Sequence, residues 1–141
     1  MDIIAVDANN KEEVLNFLKN ISLVHDINEE VVMNGEYVLD GEIVGLLSFE
    51  EFNHFGLIRY FIFRKEVKEK IIYELFNKIV QKASKKGIKS LLSLVVKKDA
   101  VAVFKGLGFY EIDKEDVYIE ETVLHQTKFK DAFVLKYDIQ K

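Results

Sequence analysis

A chain of 141 residues with 49% hydrophobic content has room for one folded domain, spanning 1–141, and none for a second. The absence of cysteine excludes disulfides, thiolate metal sites and a cysteine nucleophile together. A net charge of −4 argues against nucleic acid as principal partner, because neutralising phosphates needs a concentrated positive surface.

Ile3 to Val6 suits a first strand, and Asn9 or Asn10 can cap a helix through about Lys19 with Val14, Leu15 and Leu18 facing inward. The opening M-D-I-I-A-V-D lacks a charged leader and a long apolar stretch, so no secretion signal is expected. No apolar run approaches the roughly 18 residues that span a bilayer, and a cytoplasmic protein without membrane contact is expected. Residues Ser22 to Met33 are ambiguous, with a second irregular helix as one reading. Tyr37 to Leu39, Asp40-Gly41 and Ile43 to Phe52 read as a hairpin, because D-G tolerates the positive φ of a tight turn. Phe55 to Phe63 is a further strand, apolar apart from Arg59 and Tyr60 and therefore expected at the centre of a sheet.

A long helix is predicted over about 66–86. Val67, Ile71, Leu75, Ile79 and Ala83 recur every four residues, and Ile72, Phe76 and Val80 widen the stripe. With no glycine to hold an open loop, this helix is expected to begin near Glu66, placing Glu66 and Glu69 at its positive end. Gly87 follows a lysine-rich last turn, where positive φ releases the chain at low cost. Leu91 to Val96 reads as a strand covered on both faces. Ala100 to Lys105 has room for a short helix before Gly106 and Gly108 turn it into Phe109. Strands at Tyr110 to Asp113, with a possible continuation to Leu124, and at Phe133 to Ile139 follow, giving an α/β mixed sheet.

Two motifs organise this region. Ala83, Gly87, Leu92 and Leu94 approximate A-x-x-x-G-x-x-x-L-x-L, and Phe104, Gly108 and Phe109 match an F/Y-x-x-x-G-F ending. Their separation by one strand and one short helix resembles the GNAT superfamily, the acyl-CoA-dependent N-acyltransferases, over roughly residues 36 to 139. The resemblance implies a mixed, mostly antiparallel central sheet flanked by helices. It further implies transfer of an acetyl or other acyl group from acyl-CoA to a small amine or a peptide amine by direct attack. The alternatives are a non-catalytic GNAT-like binding module and an unrelated α/β domain.

The family signature is Q/R-x-x-G-x-G/A at the start of the long helix, where backbone N–H groups and the helix dipole receive the pyrophosphate of coenzyme A. Counting back from Ala83 places it on V67-K68-E69-K70-I71-I72, without any glycine. Lys65, Lys68 and Lys70 offer a side-chain clamp instead; the plainer reading is a solvated helix start with Glu66 and Lys70 as an i, i+4 pair. The residues that the resemblance assigns to the cofactor are Phe61, Ile62 and Phe63, whose backbone would hold the pantetheine, with Ile71 and Phe104; Lys68 and Lys70 of the side-chain clamp complete the cofactor set. Phe104 stands where many members place a tyrosine that protonates the departing thiolate, and it has no proton to give. Lys97 replaces an asparagine often found before that helix.

A base must take a proton from the attacking amine. Glu50, with Glu51 beside it, and Tyr60 are the candidates, with His54 in the intervening turn. For the glutamates the plainer reading is a solvated strand end, and for Tyr60 a core aromatic with a satisfied hydroxyl. Arg59, unusual inside an apolar strand, suits an anionic acceptor. His25 and His125 stand alone, and no histidine spacing suits a metal.

Overall fold

A computed structural model describes residues 1–21, 26–53, 55–113, 118–119, 122–123 and 132–139. The elements run β1 (Asp2–Ala5), α1 (Lys11–Lys19), α2 (Glu29–Met33), β2 (Glu36–Asp40), β3 (Glu42–Glu51), β4 (Gly56–Phe63) and α3 (Glu69–Lys85). They continue with β5 (Ser90–Val95), α4 (Lys98–Gly106), β6 (Tyr110–Ile112), β7 (Tyr118–Ile119), β8 (Thr122–Val123) and β9 (Phe133–Asp138). Seven strands form one sheet in the order β1-β2-β3-β4-β5-β9-β6, while β7 and β8 pair separately. The architecture is a mixed, mostly antiparallel α/β sheet flanked by helices, and β4 is its central strand, as its continuous apolar run predicts. The parallel register of β4 on β5 covers Gly56↔Leu91 and Leu57↔Leu92.

The chain divides into two compact units, Met1–Glu50 with Arg59–Lys82, and Glu51–Ile58 with Ala83–Lys141. In the first, α1 buries Val14, Leu15, Phe17 and Leu18 in one core with Val31 and Val32 of α2 and with Tyr37, Ile43, Leu46 and Tyr60 of the strands. Asn10 precedes α1 but does not cap it with its side chain. Its amide donates to the Ala5 carbonyl at 3.0 Å and its Oδ1 accepts from Asp7 N at 2.8 Å, so it braces the turn out of β1 instead. Asn28 does cap α2, its Oδ1 accepting from the amides of Glu30 and Val31. Gly41, at φ 75°, makes the β2–β3 turn that Asp40-Gly41 predicts.

In the second unit Phe55, Leu57, Leu92 and Val134 form a core, with Phe52, Leu94 and Ile112 packed on it. Gly87, at φ 82°, ends α3, and Ile88 N donates back to the Ala83 carbonyl at 3.1 Å. Strand β9 lies antiparallel between β5 and β6, hydrogen-bonded to both. Phe133–Asp138 therefore occupies an interior place in the sheet, with β6 at the edge.

Three further expectations need correction. The long helix begins at Glu69 rather than Glu66, leaving 66–68 nonhelical. Lys65 is held by Asp40 on the β2–β3 turn, and the Lys68 carbonyl is the first to accept from the helix, from Ile71 N at 2.9 Å and Ile72 N at 3.4 Å. Val67 therefore precedes the helix, and the deeply buried part of the predicted stripe is Leu75, Phe76, Ile79 and Ala83. Val96 does not extend β5: the strand ends at Val95, and Val96 is 73% exposed. The strand at Tyr110 stops at Ile112. Leu124 and residues 22–25 lie outside the described residues.

Candidate functional site

The sequence candidates of the first unit gather on β3, β4 and the turn into α3. β4 reads G-L-I-R-Y-F-I-F, and Arg59 is its one exposed residue. The Arg59 guanidinium donates from Nη1 to Oε1 of Glu50 at the end of β3, and the two side chains are 36% and 27% exposed. Both candidate groups of opposite charge are thus paired with each other at the surface.

Tyr60, one residue on, points into the core and is 6% exposed. Its hydroxyl accepts from Asn28 N at 3.0 Å and lies 3.4 Å from the Asp26 carbonyl, to which it donates. The phenol therefore ties the turn leading into α2. Two further side chains fasten α2 to β3: Ser48 Oγ donates to the Val31 carbonyl, and Asn34 Nδ2 donates to the Phe49 carbonyl at 3.1 Å.

Beyond Tyr60 the strand alternates, as its pleat requires. Ile62 packs on the core beneath α1 and α2. The rings of Phe61 and Phe63 meet edge to face, with centroids 5.6 Å apart. Phe63 lies over Gly45 of β3, where an added Cβ would fall 2.4 Å from the ring. A glycine inside an apolar strand signals such close approach.

The chain then enters a nonhelical turn at 64–68. The Arg64 guanidinium lies 5.0 Å from the centre of the Phe17 ring and 4.0 Å from Glu42. Lys65 pairs with Asp40, and this hydrogen bond, then the lysine charge, holds the Asp40 carboxyl below its ordinary range. An open groove of about 340 Å³ between α1 and the β2–β3 hairpin is lined by Phe17, Leu39, Ile43, Glu13, Glu42 and Arg64, among others. Two carboxylates against one cation make that groove unsuited to a phosphate. Lys68 and Lys70 are exposed at the start of α3. The Ile71 amide is engaged by the Lys68 carbonyl, so the amides preceding the first helical hydrogen bond are those of Glu69 and Lys70. Ile72 sits within the first turn, half-buried.

In the second unit Phe104 is buried against Phe109, rings edge to face at 5.1 Å, and Phe109 in turn meets Tyr137 at 5.5 Å. His25, His54 and His125 lie outside the described residues, among which no group of three potential metal ligands converges. No helix among them is long and apolar enough to cross a membrane.

Comparison with known proteins is decisive for architecture. No protein-family model and no curated protein matches the sequence. Among solved structures, the chain is similar to N-acetylglutamate synthase from Neisseria gonorrhoeae, complexed with coenzyme A and N-acetyl-glutamate. The TM-score is 0.71 at 15% identity, over 99% of this chain and 35% of that one. It thus spans about a third of that enzyme's length. An acetyltransferase of the GNAT family from Staphylococcus aureus Mu50 gives 0.67 at 17% identity, over 99% of both chains. Tetrahymena GCN5 gives 0.71 at 18%, over 99% and 97%.

The chain has the GNAT fold.

Within that fold, Phe61 to Phe63, Lys68, Lys70 and Ile71 follow one another along β4 and the start of α3. Sequence reasoning did not anticipate the pairing of Glu50 with Arg59, or the bracing of α2 by Tyr60, Ser48 and Asn34. The N-E-E pattern at Asn28 was the one local signal, that of a helix cap.

Proposed function

We propose that this protein binds an acyl-CoA and passes its acyl group to an amine, in the cytoplasm and without a covalent enzyme intermediate. The observation that carries this reading is the correspondence of nearly the whole chain to acetyltransferases, one of them complexed with coenzyme A. A fold alone hosts many functions, so the residues must suit the group. In this reading they do so by a side-chain route. The turn into α3 lacks the family's glycines but carries exposed Lys68 and Lys70 beside a helix start that favours negative charge. In this reading those lysines hold the phosphates, and the backbone of Phe61, Ile62 and Phe63 aligns the pantetheine.

Glu50 takes the proton from the attacking amine, directly or through water. Tyr60 is better read as a positioning residue, because its hydroxyl is engaged by Asn28 and Asp26. The amine nitrogen adds to the thioester carbonyl, the C–N bond forms, and the C–S bond breaks to release the thiolate. Phe104 donates no proton to it.

The second reading is a binding module that retains the fold without turnover. The engaged Tyr60 hydroxyl and the protonless Phe104 favour it. Calorimetric titration with acetyl-CoA and coenzyme A, followed by a free-thiol assay over an amine panel, separates the two. Binding with turnover supports the enzyme, binding without turnover supports the module, and no binding by the folded protein defeats the acyl-CoA reading.

A further inference from the structure

We propose that the acceptor of this protein carries a carboxylate beside its amine, as a free amino acid does, and that Arg59 and Glu50 read the two groups together. This rests on the acyl-transfer reading above. Arg59 is the one charged residue of β4 and its one exposed position, in the central strand of the sheet. Solvation alone at that position would be met by any short polar side chain. A guanidinium adds a planar fork with five donors, matched to a carboxylate.

Glu50 meets Arg59 through Nη1. That contact uses Nη1, and the Nε–Nη2 edge, the face suited to a bidentate carboxylate, is not part of it. The two side chains are partly exposed, and pairs of this kind open at little cost. Their backbones are fixed by contrast. Ser48 and Phe49, just before Glu50, are fastened to α2, and Tyr60, just after Arg59, is hydrogen-bonded to the turn before it. A rigid frame thus presents a cation and an anion that are easily parted.

An ammonium bearing a neighbouring carboxylate replaces this pair charge for charge. Its carboxylate takes the Arg59 fork and its ammonium takes Glu50, so neither protein charge is left uncompensated. An amine lacking the carboxylate must draw Glu50 away from Arg59 and leaves the guanidinium without a partner. With the acceptor seated, Glu50 accepts one ammonium proton. The freed lone pair adds to the thioester carbonyl, the C–S bond breaks, and the second proton passes from nitrogen to the departing thiolate.

The test uses the full chain, acetyl-CoA and a panel of amino acids, each matched with its α-carboxamide, with free thiol as readout and acetyl-CoA binding followed separately by calorimetry. The carboxylate form of the accepted compound is expected to exceed its amide by roughly 10- to 100-fold in kcat/KM, as one charge-assisted contact allows. Arg59→Gln should bring the two forms near parity, chiefly by raising KM for the acid, and Arg59→Lys should retain part of the preference. Glu50→Gln should lower kcat for both. Equal use of acid and amide, or a preference that survives Arg59→Gln, overturns the proposal. Acetyl-CoA binding with no turnover of any amino acid also overturns it while sparing the cofactor reading. Absence of binding defeats that reading itself and this inference with it.

Discussion

The Lys82 ammonium of α3 lies 2.6 Å from Oε2 of Glu36 on β2, and Glu36 is only 5% exposed. The same nitrogen donates to the Gly35 carbonyl at 2.8 Å. Its approach to Oε2 is close but poorly aligned, since that oxygen has no hydrogen bond of good geometry. Charge attraction therefore dominates the contact.

Removing the lysine leaves a carboxylate in the core without its counter-ion. Breaking a buried pair costs about 3–5 kcal/mol, and the 23% exposure of the Lys82 side chain places Lys82→Met toward the lower end. Glu36→Gln in the Lys82→Met background should recover part of that loss, giving a clear coupling in a double-mutant cycle by urea denaturation. Independent, additive losses would show that the pair is not coupled.

Gly45→Ala tests the packing beneath β4. The new methyl would stand 2.4 Å from Cδ1 and 2.7 Å from Cε1 of Phe63, so the ring must move. Overpacking of this kind costs about 1–3 kcal/mol. Phe63→Leu in the same chain should restore part of it, measured by thermal and chemical melts. A neutral Gly45→Ala would mean that the ring yields freely.

The Asp40 carboxyl should titrate below its ordinary 3.8, because Lys65 hydrogen-bonds it and adds a positive charge nearby. The sign follows from linkage: the contribution to stability is complete above the unfolded pKa and is lost as pH falls through the lower folded value. The group is exposed, so the effect is small and confined to the acid side of 3.8. Carboxyl NMR titration should show the Asp40 midpoint return toward 3.8 in Lys65→Met, and an unmoved midpoint would refute the assignment.

Lys68→Ala with Lys70→Ala should weaken acetyl-CoA binding by roughly tenfold at low salt while leaving the melting curve almost unchanged, both residues being exposed. The difference from the parent should close toward about 1 M salt, where the screening length falls to about 3 Å. Salt-insensitive binding, undiminished in the double variant, would rule out a side-chain phosphate clamp.

Much of the fold was legible because its signals are local. The period of Leu75, Ile79 and Ala83 marked α3, and Asp40-Gly41 marked the hairpin. Gly87 marked the release into β5, and the apolar run around Arg59 marked the central strand. Nonlocal partners were not legible. The start of α3 was misjudged by three residues because the segment before it is tethered to Asp40, which no helical periodicity reports. The site divided in the same way. Glu50, Arg59 and Tyr60 stood out as polar groups near an apolar strand, but their pairings depend on register and on a distant cap at Asn28.

The position of β9 between β5 and β6 has a consequence for the order of synthesis. Both earlier strands take their antiparallel hydrogen bonds from Phe133–Asp138, which leaves the ribosome after them. Until it emerges, S-L-L-S-L-V of β5 has an unpaired edge on that side, an apolar template of the kind that recruits other chains. The first unit draws mainly on residues made earlier and can gather its core sooner. A ribosome stalled before Phe133 would therefore hold a nascent chain whose second half is a client for chaperones, and truncations there should aggregate rather than merely lose activity.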